Sequence, residues 1–265
     1  MNLCIIGASG RMGKLIATHA LQNNDTKITG AIEYHSSPNI GQDIGLLCGL
    51  NAVGVKIDSN IFDSAKSADV IIDFSGANGT ENNVKNFQII KKPLVIGSTG
   101  LKDTTIASIK ELSKTCPIVF TPNMSMGVNL LFKLTEIVSK ILKDDFDIEI
   151  IESHHNKKKD SPSGTAMKLA EIISESLKLD LEKDVVYGRK GLVGERNKNE
   201  IGIHAVRGGD IVGEHSVMFC GNGEILELTH KATSRSTFAV GALKAAKWVC
   251  NKTPGLYTMF DVLGL

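Results

Sequence analysis

Near the amino terminus, three glycines stand between a short apolar run and an amphipathic stretch. The run "LCIIG" (3–7) is typical of a buried strand, and "RMGKLIATHALQNN" (11–24) has apolar residues at helical spacing. Gly7, Gly10 and Gly13 form the pattern G-x-x-G-x-x-G, a variant of the usual dinucleotide loop. Glycine permits a tight turn, and the N–H groups that begin the next helix attract a diphosphate. This stretch therefore predicts a strand, a loop and a helix that bind a dinucleotide.

A carboxylate ends the next apolar run, "KITGAIE" (27–33). Glu33 lies twenty residues after the third glycine, where a carboxylate can accept hydrogen bonds from both ribose hydroxyls of adenosine. No arginine follows it at position 34, where one would favour a 2′-phosphate, so NADH is preferred over NADPH. Arg11 or Lys14 could still reach a phosphate. The alternative is a glycine-rich turn with an unrelated surface glutamate.

More apolar, β-branched runs follow at regular intervals. They are "ADVIIDFS" (68–75), "PLVIGS" (93–98) and "PIVFTPN" (117–123), and helical stretches near 79–91 and 103–115 separate them. Strands that alternate with helices at this spacing indicate a parallel sheet covered on both faces. The small residues of "IGSTG" suit a chain that passes close to a nicotinamide ribose, although, taken by themselves, they fit an ordinary strand-to-helix turn better.

The pattern changes after residue 124. A long helix is predicted over 128–143, and "FDIEIIES" (146–153) begins with the alternation of a half-exposed strand. The runs at 214–219 and 224–230 flank "CGNG", which indicates a hairpin. We therefore expect an α+β unit with a mainly antiparallel sheet.

The segment from residue 236 returns to a helical pattern, "TFAVGALKAAKWVC", and is expected to pack on the first unit. The overall prediction is an α/β chain with a Rossmann-like dinucleotide-binding domain over 1–123 and 236–265. The second domain, 124–235, is predicted to bind the substrate and to mediate oligomerisation. Residues near 123–128 and 234–237 are candidate hinges for closure between the domains.

Composition excludes several classes of protein. Among 265 residues, Lys plus Arg number 30 and Asp plus Glu 29, and a net charge of +1 argues against general nucleic-acid binding. The five cysteines are widely spaced without a C-x-x-C, so neither a disulfide framework nor a zinc ribbon is expected. The start "MNLCIIGASG" lacks the features of a signal peptide, and no apolar run is long enough to span a membrane. A reducing cytoplasm is the expected setting.

The stretch "ESHHNKKKDSPSGTA" (152–166) concentrates titratable and cationic side chains beside a helix start. Adjacent side chains on a strand point to opposite sides, so His154 and His155 are expected to have different roles. A histidine titrates near neutral pH and can donate a proton. The lysines that follow can bind an anion, although such a loop is often only a solvated surface.

A helix is predicted to follow this loop. We expect Ser161 to cap it and Pro162 to lie in its first turn. Gly164 and Thr165 would then also lie in the first turn, where free N–H groups bind anions such as carboxylates. The site could therefore accept a small acidic substrate and protonate it. By itself, however, the Ser-Gly-Thr sequence is only a cap.

Metal binding is the other interpretation of the paired histidines. His204, His215 or Asp160 could complete a ligand set. No H-x-x-x-H and no cluster of His with Cys supports it, so no metal is predicted.

These stretches resemble a known family over essentially the whole chain. The resemblance is carried by "GASGRMG", "IDFS", "GSTG", "PNMSMGVN", "ESHHNKKKDSPSGTA", "YGRKGLVGER", "IGIHAVRGGDIVGEH" and "SRSTFAVGALKAAKWV". Together they are similar to the 4-hydroxy-tetrahydrodipicolinate reductase (dihydrodipicolinate reductase) family of bacterial lysine and diaminopimelate biosynthesis. The histidine block followed by D-x-P-S-G-T-A is highly specific, whereas the glycine loop is not.

The resemblance implies roles for the matching positions. It implies acid/base catalysis by His154 with Lys158 as the catalytic lysine, and substrate contacts from His155, Ser163, Gly164 and Thr165. The implied cofactor contacts are Gly7, Ala8, Ser9, Gly10, Arg11, Met12, Glu33, Gly97, Ser98, Thr99, Thr121, Pro122, Asn123 and Met124. The family uses NADH or NADPH, forms homotetramers through the second domain and works in the cytoplasm. This chain departs from the family at Gly76, where the usual proline nearby is also missing, and in lacking the arginine at position 34.

The implied reaction is hydride transfer to the conjugated C=C–C=N system of a small cyclic dicarboxylate. Dehydration of a hydroxylated precursor generates this acceptor. His154 would protonate the enamine-like intermediate, and Lys158 would stabilise negative charge and hold a carboxylate. Two other functions are compatible with parts of the pattern: a different two-domain nicotinamide dehydrogenase, and a dinucleotide-sensing regulator. The regulator would not need the histidine and lysine constellation.

Overall fold

The chain divides into two units, Met1–Met126 together with Arg235–Leu265, and Gly127–Ser234. The computed structural model describes the backbone of residues 1–265 and the side chains of all of them except residue 144. That residues 124–235 bind substrate and mediate assembly stays a prediction.

Strands and helices alternate through most of the chain. The strands are β1 (Asn2–Ile6), β2 (Lys27–Ile32), β3 (Ile57–Asp58), β4 (Val70–Asp73), β5 (Leu94–Ile96), β6 (Pro117–Phe120), β7 (Asp147–His154), β8 (Val185–Tyr187), β9 (Ile201–Arg207), β10 (Gly213–Gly221), β11 (Glu224–Ala232) and β12 (Gly255–Tyr257). The helices are α1 (Arg11–Leu21), α2 (Ile44–Leu47), α3 (Ile61–Ala65), α4 (Gly76–Ile90), α5 (Asp103–Leu112), α6 (Met126–Leu142), α7 (Gly164–Leu177), α8 (Ser236–Val249) and α9 (Met259–Leu263), with a short 3-10 helix at Lys143–Asp145.

The first unit is built on a parallel sheet of seven strands. Its strand order is β12-β6-β5-β4-β1-β2-β3, and every pairing is parallel. The order reverses between β1 and β4, and ligands of such sheets bind at the carboxyl ends of the strands beside this point. The prediction of a Rossmann-like domain is confirmed.

Both faces of this sheet are covered. Leu3 and Ile5 of β1 lie in one buried cluster with residues of α1 and α8. Cys4 and Ile6 lie in a second cluster on the opposite face, with residues of α4 and α5 such as Phe87. This alternation follows from the two-residue period of a strand. Helix α8 thus packs on the first unit, as its sequence predicted.

The second unit is built on a five-stranded sheet of order β11-β10-β7-β9-β8. Strand β10 pairs antiparallel with β7 and with β11, and the latter pair is the predicted hairpin. Strand β9 pairs parallel with β7 and with β8. The sheet is therefore mixed, because β8 and β9, which the sequence analysis did not predict, add parallel pairs beside β7.

Several short elements escaped the sequence analysis. Strands β3 and β12 are only two and three residues long and lie at the two edges of the first sheet. Their few residues show no readable alternation. In the described part of the chain, no helix has the length and apolar character needed to cross a bilayer.

We expect Gly241→Ala to destabilise the first unit. A Cβ at Gly241 of α8 would lie 1.8 Å from the carbonyl oxygen of Met124, so helix and loop would have to move apart. Overpacking of this kind costs about 1–3 kcal/mol, and the melting temperature should fall by about 5 °C or more in calorimetry.

Gly208→Ala is the matched control, because a Cβ there would meet only Ile211 Cδ1, at 3.9 Å. Equal melting temperatures for Gly241→Ala and the unaltered protein would show that the close approach has no energetic weight.

Candidate active site

The glycine loop leaves the end of β1 in a tight turn. Gly7 has φ +77°, and a Cβ there would lie 2.7 Å from the carbonyl oxygen of Phe74. The N–H groups of Gly7 and Ala8 donate to the carbonyl of Ile32 at 2.9 and 3.0 Å, which ties the loop to β2. Helix α1 starts after Gly10, which has no side chain to cap it. Its first N–H groups are therefore suited to a phosphate.

Glu33 lies beside this loop. Its Oε2 accepts from the N–H of Ser9 at 3.0 Å and also from the Ser9 hydroxyl. A cleft of about 470 Å³ adjoins both segments, with Gly7, Glu33, Tyr34 and Ser75 among its lining. Helix α4 adds the amide side chains of Asn78, Asn82, Asn83 and Asn86. None of the described residues that line the cleft is Lys or Arg.

The other expected cofactor contacts lie at the same edge of the sheet. Gly97, Ser98 and Thr99 follow β5, and the residues from Thr121 to Met124 follow β6. Buried Ser98 accepts from the N–H of Gly76 at 3.0 Å. Of all the expected contacts, only Gly7 and Glu33 line the cleft itself. The amide-rich face of α4 was not anticipated, although the repeated asparagines are visible in the sequence.

A buried carboxylate supports this edge. Asp73, at the end of β4, accepts from the N–H and the hydroxyl of Ser75 at 2.9 and 2.6 Å, and from the hydroxyl of Thr80 at 2.8 Å. Burial raises the pKa of Asp73, and these hydrogen bonds offset part of the effect. Asp73 therefore orders the turn into α4, which begins at Gly76.

In the second unit, His154 is the last residue of β7 and is hydrogen-bonded to a buried carboxylate. His154 Nδ1 lies 2.6 Å from Oε2 of Glu152, whose side chain is fully buried. Arg207 donates to both oxygens of Glu152, at 2.8 and 2.7 Å, and the N–H of Ser163 donates at 3.0 Å. Burial opposes the charge on Glu152, but hydrogen bonds from Arg207 and His154 outweigh it and lower the pKa of this carboxyl.

Lys158 lies in the loop after β7 and is held by Asp160. Its Nζ donates to both carboxylate oxygens, at 2.9 and 2.8 Å, and its side chain is mostly buried. The hydrogen bond from Lys158 lowers the pKa of Asp160. A ligand carboxylate would therefore compete with Asp160 for this ammonium group.

The helix after the loop begins two residues later than predicted. Ser163 is the cap of α7, and its hydroxyl accepts from the N–H of Ala166 at 3.2 Å. The expectation that Ser161 caps the helix, with Pro162 in the first turn, is wrong. A capping hydroxyl must reach an N–H two or three positions onward, and from Ser163 it does. Gly164 and Thr165 occupy the first turn, as expected.

The remaining histidines have distinct surroundings. His155 is half-buried, and its Nδ1 has no hydrogen-bond partner among the described residues. His215 of β10 is buried, with Nε2 2.8 Å from the Ser163 hydroxyl and its ring 5.1 Å from that of His154. Burial, and to a lesser extent the charge of His154, lowers the pKa of His215 to about 3, so the His215 ring stays neutral. The described side chains form no group of His, Cys, Asp or Glu able to hold a metal.

A second charged cluster lies on the other face of β7. Glu149 accepts from Arg189 at 2.8 and 3.1 Å and from Arg196 at 3.0 Å, and lies 2.7 Å from His204 Nε2. The two arginines belong to the segment "YGRKGLVGER", which this cluster ties to the sheet. Burial opposes the charge, but hydrogen bonds from these arginines and His204 lower the pKa of Glu149 to about 2.

Known proteins match the chain over its whole length. Residues 1–124 match the family described as dihydrodipicolinate reductase, N-terminus, and residues 127–263 match dihydrodipicolinate reductase, C-terminus. The chain is 50% identical to the 4-hydroxy-tetrahydrodipicolinate reductase of Aquifex aeolicus, with 100% of this chain and 99% of that protein covered. It is 46% identical to the protein of the same name from Syntrophotalea carbinolica, at the same coverage.

One solved structure supports the fold. It is a dipicolinate-bound dihydrodipicolinate reductase from Paenisporosarcina sp. TG-14, with a TM-score of 0.76 at 22% identity. The alignment covers 98% of each chain.

We expect Glu149→Gln to lower stability in a pH-dependent way. The pKa of Glu149 is about 2 in the folded protein, against a usual 4.5. Its contribution is therefore complete above pH 4.5 and is lost as the pH falls towards 2; it amounts to roughly 3 kcal/mol. Urea unfolding at pH 7 and pH 2.5 measures the difference.

The control is Glu175→Gln, an exposed carboxylate on α7. Its effect should be small at both pH values. An equal cost of Glu149→Gln at pH 7 and at pH 2.5 would contradict the ionic role of this carboxylate.

Proposed function

Because the chain belongs to the 4-hydroxy-tetrahydrodipicolinate reductase (dihydrodipicolinate reductase) family, we propose how its own residues perform the reaction of that family. The chain is an oxidoreductase, and its reaction is the reduction of the dihydrodipicolinate derived from 4-hydroxy-tetrahydrodipicolinate to tetrahydrodipicolinate. This is a step in the biosynthesis of diaminopimelate and lysine. The observation that carries our assignment of residues is that His154 and the cap of α7 are both hydrogen-bonded to Glu152, with the charge of Lys158 near enough to act on His154.

The cofactor is NADH or NADPH, and we propose that the first unit holds it through the glycine loop and Glu33. The cleft beside these segments and the uncapped start of α1 fit a dinucleotide. When bound, the dihydronicotinamide supplies a hydride. The segments that follow β5 and β6 would approach the nicotinamide end. A carboxylate at Glu33, in a cleft whose described lining has no Lys or Arg, supports a preference for NADH.

The second unit would bind a small cyclic dicarboxylate. Lys158 offers an ammonium group, and the N–H groups of Gly164 and Thr165 offer an anion site at the start of α7. His155 and Ser163 lie beside them. The N–H of Ser163 is hydrogen-bonded to Glu152, and its hydroxyl is hydrogen-bonded to His215 and to the N–H of Ala166. Its main contribution would therefore be to hold the start of the helix in place.

His154 would supply the proton that completes the reduction. Its Nδ1 is bonded to Glu152, so Nε2 is the nitrogen that can give a proton to the substrate carbon. Lys158 would stabilise negative charge that develops as hydride arrives. Burial, together with the charges of Lys158 and Arg207, outweighs the hydrogen bond to Glu152 and lowers the pKa of His154. Because only the protonated imidazole can give the proton, the rate should fall as the pH rises through this pKa.

Assembly and location follow from the same family. We propose a homotetramer formed through the second unit, where β11 exposes Ile225 and Leu226. The free thiols of Cys4, Cys48, Cys116, Cys220 and Cys250 fit a reducing cytoplasm.

We expect His154→Ala and Lys158→Ala each to lower kcat by about 100-fold or more, because a general acid and a stabilising charge each contribute on this scale. Steady-state kinetics with the dicarboxylate measures the loss, and the Kd of NADH should change less than about twofold. Full activity in either variant would remove that residue from the mechanism. Oxidation of NADH that depends on the dicarboxylate would exclude a sensor, whereas oxidation with other substrates but not with the dicarboxylate would argue for another dehydrogenase.

We expect Glu33→Ala to weaken NADH binding about tenfold, since hydrogen bonds to a charged group contribute about 1.5–3 kcal/mol. NADPH should lose less affinity, because the same change removes repulsion of its 2′-phosphate. Fluorescence titration of both cofactors measures this, with the exposed Glu111→Ala as control. Equal losses for NADH and NADPH would remove Glu33 from the ribose site.

A further inference from the structure

We propose that Glu152, held in place by Arg207, is a positioning residue that orients His154 and favours its protonated form for the proposed protonation. The inference rests on the proposed role of His154. It assigns a purpose to a fully buried carboxylate that begins the stretch "ESHHNKKKDSPSGTA" but received no role in the sequence analysis.

Hydrogen bonds to both carboxylate oxygens fix the orientation of the Glu152 side chain. Oε2 lies 2.6 Å from His154 Nδ1 and 2.8 Å from Arg207 Nη1, while Oε1 lies 2.7 Å from Arg207 Nη2 and 3.0 Å from the N–H of Ser163. A bidentate arginine compensates a buried carboxylate that would otherwise be costly to ionise. Glu152 therefore remains an anion at the place where it touches the imidazole.

The register of the strands explains why these groups meet. Glu152 and His154 are two residues apart on β7 and so project from the same face. Arg207 lies opposite His154 on the parallel strand β9. Arg207 also donates to the carbonyl of Asp160 at 2.9 Å, which ties the loop that carries Lys158 to the same strand.

The negative charge of Glu152 favours protonation of His154, whereas the positive charges nearby disfavour it. Lys158 in the loop and Arg207 on β9 both disfavour an imidazolium at His154. His215 on β10 packs against the His154 ring, and His230 on β11 is paired with His215. Asp160 is bonded to Lys158. Among the described groups, Glu152 is the only one in contact with His154 that favours its protonation.

The consequences are twofold. A hydrogen bond from Nδ1 to the carboxylate fixes the ring orientation and leaves Nε2 to carry the acidic proton. An adjacent opposite charge raises the pKa of a histidine by about 1–3 units, which keeps more of it in the acid form. A carboxylate that merely packed beside the ring would raise the pKa but would not fix the ring orientation.

The test is Glu152→Gln in the full-length protein, which removes the charge and nearly preserves the shape. We expect the pKa of His154, followed by NMR of its ring, to fall by about one unit or more. The alkaline limb of the kcat/KM profile should move to lower pH by the same amount, with about a tenfold loss of kcat/KM above it.

Arg207→Gln supplies a second variant with the opposite sign. Removing this cation leaves the imidazolium of His154 as the charged partner of Glu152, so the pKa of His154 should rise and the limb should move to higher pH. It also decides the question if Glu152→Gln fails to fold. A loss of structure alone would not shift the two variants in opposite directions.

The matched control is Glu149→Gln, which removes another carboxylate of β7 that binds two arginines and a histidine, but on the opposite face. The pKa of His154 should not move. An unchanged pKa in folded Glu152→Gln, or no rise in Arg207→Gln, would overturn the positioning role while leaving the result of His154→Ala intact. A lower pKa with an unmoved limb would instead overturn protonation by His154, and the positioning role with it.

Discussion

The apolar character of β1 on both faces is the constraint from which the first unit is built. Leu3 and Ile5 need cover on one side, and Cys4 and Ile6 need it on the other. Parallel strands satisfy this requirement because the helices that connect them lie across both faces. The same connectivity brings the glycine loop, Glu33 and the turns after β4, β5 and β6 to one edge of the sheet. The proposed cofactor site is therefore a consequence of how the core is covered.

The second unit depends on a different kind of interaction. Its sheet carries charged residues on both faces of β7, and each carboxylate is compensated by arginines from outside that strand. Glu152 is bonded to Arg207 and to the cap of α7, and Glu149 is bonded to Arg189 and Arg196. These bonds connect the loops on either side to the sheet. Ion pairs on both faces of β7 thus help to hold the proposed site, which suits a site that handles protons and anionic ligands.

Much of the fold could be predicted from local patterns. The glycine loop, the strands with apolar runs, the hairpin and the long helices all have periodicity or turn residues that do not depend on distant parts of the chain. The edge strands β3 and β12, and the parallel pair β8 and β9, do not. Their residues become strands because a neighbour offers unpaired backbone groups. The prediction placed the start of α7 at the wrong serine, because Ser161 and Ser163 are both suitable caps in the sequence. Only the path of the loop brings the Ser163 hydroxyl to the N–H of Ala166.

The candidate site likewise combines residues that the sequence predicts with residues that only the tertiary structure brings together. His154, Lys158, Gly164 and Thr165 occupy one continuous segment, so the sequence by itself determined that an imidazole, an ammonium group and a helix start lie close together. Glu152 is also in that segment, but nothing local distinguishes it from a solvent-exposed glutamate. Arg207 and His215 come from strands more than fifty residues further along the chain, and only the pairing of β7 with β9 and β10 brings them to it. Tertiary structure decided the surroundings of His154, because charge and burial depend on neighbours in space, whereas sequence patterns record neighbours along the chain.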